Sequence, residues 1–157
     1  MKIGTRSLLW GVHQFLIHPV VVALAWRRLY GCWPKGRAEW IAILVHDLGY
    51  FGCPDMDGKA GRQHPQVGAK IAAYLLRSRK HEANYAVDLI LGHSRHYCAE
   101  HKREVSRLYA PDKVGILFEP RWLYLLRATL SGEIREYTQH APLCFRYGTR
   151  RASRWLD

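Results

Sequence analysis

The sequence predicts an all-α domain, and three observations carry that prediction. Apolar residues recur three and four apart in several stretches, the spacing of one helical face. Glycine and proline punctuate the ends of those stretches. No pair of alternating segments reads as strands, and there is no internal repeat or low-complexity tract. The 157 residues are expected to form one domain over 1–157, with a core at about 13–137 and a basic tail at about 142–157. That length buries a hydrophobic core without disulfide staples.

Taken in order, Pro19 to Tyr30 (PVVVALAWRRLY) sets Val22, Ala25, Trp26 and Leu29 on one face. Proline suits the first turn of a helix, and Gly31 supplies the stop. His18 stands at the start of this helix. Ala38 to Asp47 is apolar almost all round, through Trp40, Ile41, Ile43, Leu44 and Val45, and such a helix is expected to be buried. It delivers His46-Asp47 just before the breaker Gly49. Tyr50 to Gln63 holds Gly52, Pro54, Gly58 and Gly61 and reads as a loop, long enough to suggest a functional role. His64-Pro65 opens the next helix (VGAKIAAYLLRS), where Gly68, Ala69, Ala72 and Ala73 permit close packing. A helix over Glu82 to His96 turns Val87, Ile90 and Leu91 inward. Tyr97 to Arg107 is polar and gives no clear element. Asp112 to Phe118 forms a short helical piece after Pro111, and Trp122 to Tyr137 a longer one. Trp26, Trp40 and Trp122 sit on apolar faces and are expected in the core.

Lys and Arg number 24 against 13 Asp and Glu, a net charge of +11. Such a field favours anionic partners: nucleotides, nucleic acid or acidic membrane surfaces. The arginine-rich run Arg146 to Arg154 is a possible nucleic-acid contact. Cys32, Cys53, Cys98 and Cys144 lie far apart with no CxxC pair, which argues against a cysteine-type zinc site and for reduced thiols. The most apolar stretch, Phe15 to Trp26, is interrupted by His18 and Pro19 and is too short to span a bilayer. The leading apolar run lacks a small-residue cleavage site. No membrane partner and a cytoplasmic location are therefore expected.

The chemistry is expected at His46-Asp47. Burying a helix that ends in an imidazole and a carboxylate is costly unless both are paired or hold a metal. His18 and His64 each open an apolar helix, His93 follows Leu91-Gly92, and Asp112 precedes an apolar turn. Imidazole and carboxylate donors suit divalent ions such as zinc, iron or manganese.

The order His18, His46-Asp47, His64, His93, Asp112 resembles the H…HD…H…H…D signature of HD-domain metal-dependent phosphohydrolases. HDLGY, HPQVGAKIA and APDKVG resemble local motifs of that superfamily, the second most closely its HD-GYP-like members, although no GYP motif is present. The resemblance spans about Phe15 to Leu117 and implies an HD-domain helical bundle with its metal centre between the helices. It also implies one ion held by His18, His46, Asp47 and Asp112, and a second by His64 and His93 with Asp47 bridging. The cofactor would be one or two divalent ions among Mn, Fe, Zn, Mg, Co and Ni.

The implied activity is hydrolysis of a nucleotide or other phosphate ester, as a phosphomonoesterase or phosphodiesterase, by attack of a hydroxide held at the metal. Asp47, Arg95, His96 and Lys113 are the candidate catalytic residues. His96 is placed one helical turn beyond His93, as an extra ligand or as the acid that protonates the leaving oxygen. Arg95 and Lys113, and less directly Arg62, would stabilise charge on phosphoryl oxygens. Asp55 and Asp57 are candidates for orienting a ligand histidine, and His13 for a substrate contact. Two rival readings share the ligand set: a mixed-valent di-iron oxygenase of HD type, and a non-catalytic, metal-stabilised module that senses or binds a nucleotide.

Overall fold

The computed structural model of the chain describes residues 1–138. The fold is all-α, with no strand among the described residues. The helices are α1 (Ile3–Trp10), α2 (Ile17–Tyr30), α3 (Arg37–Val45), α4 (His64–Leu75), α5 (Lys80–Leu91), α6 (Arg95–Glu100), α7 (Tyr109–Gly115) and α8 (Arg121–Ser131). Residues 133–138 form a further helical segment.

Local chemistry sets several of the ends. The side-chain carbonyl of Gln14 accepts the N–H groups of Leu16 and Ile17 at 2.9 and 2.7 Å, which satisfies orphan donors at the start of α2. Pro19 then falls in the first turn, as its missing N–H allows. Gly31 closes α2 in the left-handed conformation (φ 68°), which glycine adopts without steric cost. In α3 the Glu39 carboxylate reaches back to accept from the Lys35 backbone N–H at 2.6 Å. Ser94 caps α6 by accepting from the Tyr97 N–H.

The main core joins α2 through α5. Val22, Trp26, Ile43, Leu89, Ile90 and Leu108 are buried around Ala42, Ala69, Ala72 and Ala86. Burying each large apolar side chain contributes roughly 1.5–3 kcal/mol. The frame around the polar centre is therefore held mainly by its apolar neighbours. α7 packs along α2, and a smaller cluster of Leu8, Tyr50 and Met56 fastens α1 to the rest.

Several expectations need correction. The segment Ile3–Trp10 is helical and packs against α8, an element that the sequence reading did not assign. α3 is not buried all round, because Leu44 is exposed and Trp40 is 39% exposed. Trp122 is 67% exposed and lies outside the core, and Leu29 also faces solvent, whereas Trp26 is fully buried. The helix expected over Glu82 to His96 stops at Leu91, and a turn through Gly92 and His93 leads into α6. The long helix expected from Trp122 to Tyr137 is broken at Gly132, whose φ of 88° no regular helix accommodates. Cys32, Cys53 and Cys98 are free thiols. The basic tail at 142–157, with Arg146 to Arg154 and Cys144, lies outside the described residues.

Candidate metal centre

Six side chains from five parts of the chain converge, and all are buried: His18, His46, Asp47, His64, His93 and Asp112. His18 comes from the first turn of α2 and His46 from the end of α3. Asp47 follows in the turn beyond α3. His64 opens α4, His93 lies in the turn after α5, and Asp112 sits in α7. Two glycines make the convergence possible. Gly49 lies against the His64 carbonyl and Gly68 against the carbonyls of Val45 and His46, so closely that a side chain at either position would collide with backbone.

The donors divide into two groups. In the first, His18 Nε2 lies 3.2 Å from His46 Nε2, 3.2 Å from Asp47 Oδ2 and 3.1 Å from Asp112 Oδ1. His46 Nε2 lies 3.3 Å from Asp47 Oδ2 and 3.5 Å from Asp112 Oδ1. In the second, His64 Nε2 and His93 Nε2 are 3.1 Å apart, and both face Asp47 Oδ1, at 3.5 and 3.6 Å. Asp47 thus offers one carboxylate oxygen to each group. Donors about 2.0–2.2 Å from a common ion at tetrahedral or octahedral angles stand about 2.8–3.6 Å apart. Both groups have that spacing.

The tautomers can be assigned by elimination. Nδ1 of His46 meets the Ile43 carbonyl at 2.9 Å, Nδ1 of His64 meets the Gly61 carbonyl at 2.7 Å, and Nδ1 of His93 meets the Ile90 carbonyl. A carbonyl only accepts, so each Nδ1 must carry the proton, and in the neutral ring Nε2 presents a bare lone pair. Two lone pairs facing each other 3.1 Å apart repel unless a cation lies between them. Asp47 Oδ2 is likewise a buried oxygen with no hydrogen-bond donor. These residues therefore fit a divalent metal.

The electrostatics agree. Burial alone would raise the Asp47 carboxyl, but the surrounding imidazoles, His46 foremost, hold it well below the usual carboxylate range. Burial opposes the charged form of Asp112 in the same way, and Lys113 and His18 outweigh it. His18 is pushed up to about 9, because the adjacent carboxylates of Asp112 and Asp47 overcome its desolvation, and a bound ion would take the place of that proton. His64 is pulled down to about 3 by burial and by neighbouring His93, which keeps its ring neutral and able to ligate.

No family model, curated protein or solved structure matches this chain. The site is therefore characterised by its own geometry.

Beside the second donor group opens a cleft of about 330 Å³, lined by His64 and His93 and by Arg95, His96 and Lys113 among others. Three of the four candidate catalytic side chains, Arg95, His96 and Lys113, thus line one cleft beside the fourth, Asp47, although His96 stands on a different helix from the one expected. Lys113 is paired with Asp112 at 2.8 Å while its side chain remains 59% exposed. His96 also lines a second cleft with Lys59 and Arg62, and its pKa is lowered by partial burial and by Arg62 and Arg95. Arg62 donates to the Asp57 carbonyl at 2.9 Å.

Asp55 acts on the centre at one remove. Its Oδ1 accepts from the Gly61 N–H at 2.9 Å, and Gly61 in turn orients His64 through its carbonyl. Three residues emerge from the structure that sequence reasoning did not assign a role. Tyr50 stacks on His64 with ring centroids 3.9 Å apart and an interplanar angle of 19°. Ser7 and buried Glu133 bind His13, whose ring lies 5.4 Å from that of His18. Nothing in the local sequence pairs residues 7, 13 and 133, because the contact joins the two ends of the described chain.

Proposed function

We propose that this chain is a metal-dependent phosphohydrolase of HD type that acts on a nucleotide or another phosphate ester. One observation carries the reading: the two oxygens of Asp47 face two separate groups of donors, the arrangement a two-metal site requires. A divalent pair held there supplies Lewis acidity and an activated water for in-line phosphoryl displacement. His18, His46 and Asp112 would hold one ion, His64 and His93 the other, and Asp47 both. Asp47 is then committed to bridging and does not serve as the general base.

The neighbouring side chains fit an anionic substrate. Arg95 and Lys113 border the cleft and present cations to phosphoryl oxygens. The lowered pKa of His96 favours its neutral imidazole, which suits it to take up a proton before returning it to a leaving oxygen. Cations in the cleft suit a phosphonate substrate of the oxygenase reading as well as a phosphoester, so turnover and metal chemistry separate the two.

The test is reconstitution of the purified chain with Mn²⁺, Fe²⁺ or Zn²⁺, followed by assay on bis-p-nitrophenyl phosphate and a nucleotide panel. Turnover is expected, and Asp47→Ala should abolish both turnover and metal retention. Stoichiometric metal without turnover on any phosphoester would overturn the hydrolase. An iron-dependent paramagnetic signal with oxygen consumption would replace it with the oxygenase.

A further inference from the structure

One surface of the molecule, sharing no residue with the metal centre, has almost wholly apolar walls. Leu16, immediately before α2, and Val20 and Leu24 within it follow one another at four-residue spacing, and Trp40 and Leu44 stand one turn apart on α3. With Trp33 from the connecting loop they line a shallow groove of about 240 Å³. Leu16, Val20 and Leu44 are 63, 57 and 52% exposed, and both tryptophans are exposed as well. A contiguous exposed patch of large apolar side chains marks an interaction site.

Its rim is cationic. Arg27 and Arg28 end α2, and Lys35 and Arg37 lead into α3, all four exposed. The Arg27 guanidinium lies 4.8 Å over the Trp33 ring. Arg27 is three residues beyond Leu24 and Arg37 three before Trp40, so each shares a helical face with the groove. No acidic residue occurs before Glu39 in the sequence. Glu39 is itself buried, and its carboxylate accepts from the Lys35 and Gly36 backbone N–H groups and from the Tyr85 hydroxyl.

We propose that this α2–α3 face docks the protein on an anionic lipid bilayer. Leu16, Val20 and Leu44 enter the boundary of the acyl region, the tryptophans settle at headgroup depth, and the arginines and lysines meet lipid phosphates. Charge favours this occupant over a partner helix: Arg27, Arg28, Lys35 and Arg37 ring the groove and no acidic residue precedes buried Glu39, which matches the uniformly negative phosphates of an anionic bilayer. A second copy of the chain is disfavoured because two such faces would bring their cationic rims together. No described helix is long and apolar enough to cross a membrane, so the association is peripheral. This departs from the expectation of no membrane partner, which rested on the lack of a spanning stretch and of a cleavage site. The proposal does not depend on the catalytic reading.

Cosedimentation of the full-length, metal-loaded chain with phosphatidylcholine vesicles, with and without about 30% phosphatidylglycerol, tests it. Binding is expected on the anionic vesicles, weaker at raised salt and on pure phosphatidylcholine. The triple variant Leu16→Gln, Val20→Gln, Leu44→Gln keeps the net charge, so the basic tail contributes equally to both proteins. It should bind the anionic vesicles at least about tenfold more weakly, with helical circular dichroism and metal content unchanged. Should that variant misfold, Arg28→Glu with Lys35→Glu, at exposed positions, supplies an independent loss of binding. Three results would each overturn the proposal: no binding by the parent protein, undiminished binding by properly folded variants, or an apolar-face dimer that the triple variant converts to a monomer without any lipid effect.

Discussion

Three imidazoles in the centre lock their Nδ1–H on the carbonyl three residues earlier, which turns a local backbone feature into an aimed ligand. His93 illustrates the consequence. It faces only Asp47 Oδ1 and His64 in the second donor group, whereas the first group stands without it. His93→Ala should therefore reduce bound metal from two ions per chain to one, read by elemental analysis after gel filtration. Retention of two ions would show that His93 is not a ligand. The identities of these six residues were legible in the sequence, because donor type and chain order are local information. The sharing of Asp47 between two groups was implied by the family resemblance, but the assignment of Oδ2 to one group and Oδ1 to the other was not, since it depends on how the helices are turned. The relation of His93 to His96 was misjudged for a similar reason. Gly92 ends α5, and only the turn that follows shows His96 entering the cleft from α6.

At the scale of elements, the centre depends on helices meeting with no side chain between them. α4 crosses the end of α3 at Gly68, where a Cβ would stand 2.7 Å from the His46 carbonyl oxygen and 2.8 Å from that of Val45. Backbone cannot give way there as a flexible side chain can. Gly68→Ala should cost about 1–3 kcal/mol and weaken metal retention, because the strain falls between His46 and His64. Gly36→Ala is the matched control. Nothing lies within 4 Å of its Cβ position, so its unfolding midpoint in urea should stay close to that of the parent protein. Equal losses for both variants would refute the close-packing account. Helical periodicity foretold that α2 through α5 are helices, but it carried α5 five residues past Leu91 and took α3 to be buried all round. It misplaced Trp40 and Trp122, because periodicity shows that a helix has an apolar face without showing what covers that face.

Across the whole molecule, Glu133 ties the start of the described chain to its end. Its carboxylate accepts from the Val12 N–H at 3.0 Å, the Ser131 hydroxyl at 2.6 Å and the Tyr137 hydroxyl at 3.0 Å, and pairs with His13 at 3.2 Å. Burial would raise its pKa, but the bonds to His13 and Ser131 outweigh that and hold it at about 2, below the ordinary 4.5. A carboxyl depressed on folding contributes stability above its unfolded pKa and loses it as pH falls toward the folded one. Glu133 should thus stabilise fully above about pH 4.5, by roughly 3 kcal/mol, with the contribution disappearing toward pH 2. Asp47 and Asp112 add their own acid sensitivity, so the comparison with Glu133→Gln isolates this share. Thermal unfolding from pH 6 to pH 3 should show the variant less stable at pH 6 and converging with the parent on acidification. Parallel curves would count against the assignment. By itself, the sequence determined the helical class and the candidate donor residues with their order, because spacing and side-chain chemistry are written locally, and the family resemblance implied how those donors group. Only the tertiary structure decided which Asp47 oxygen faces which group, the Glu133 tie and the open apolar face, because each depends on how distant helices rotate and pack against one another.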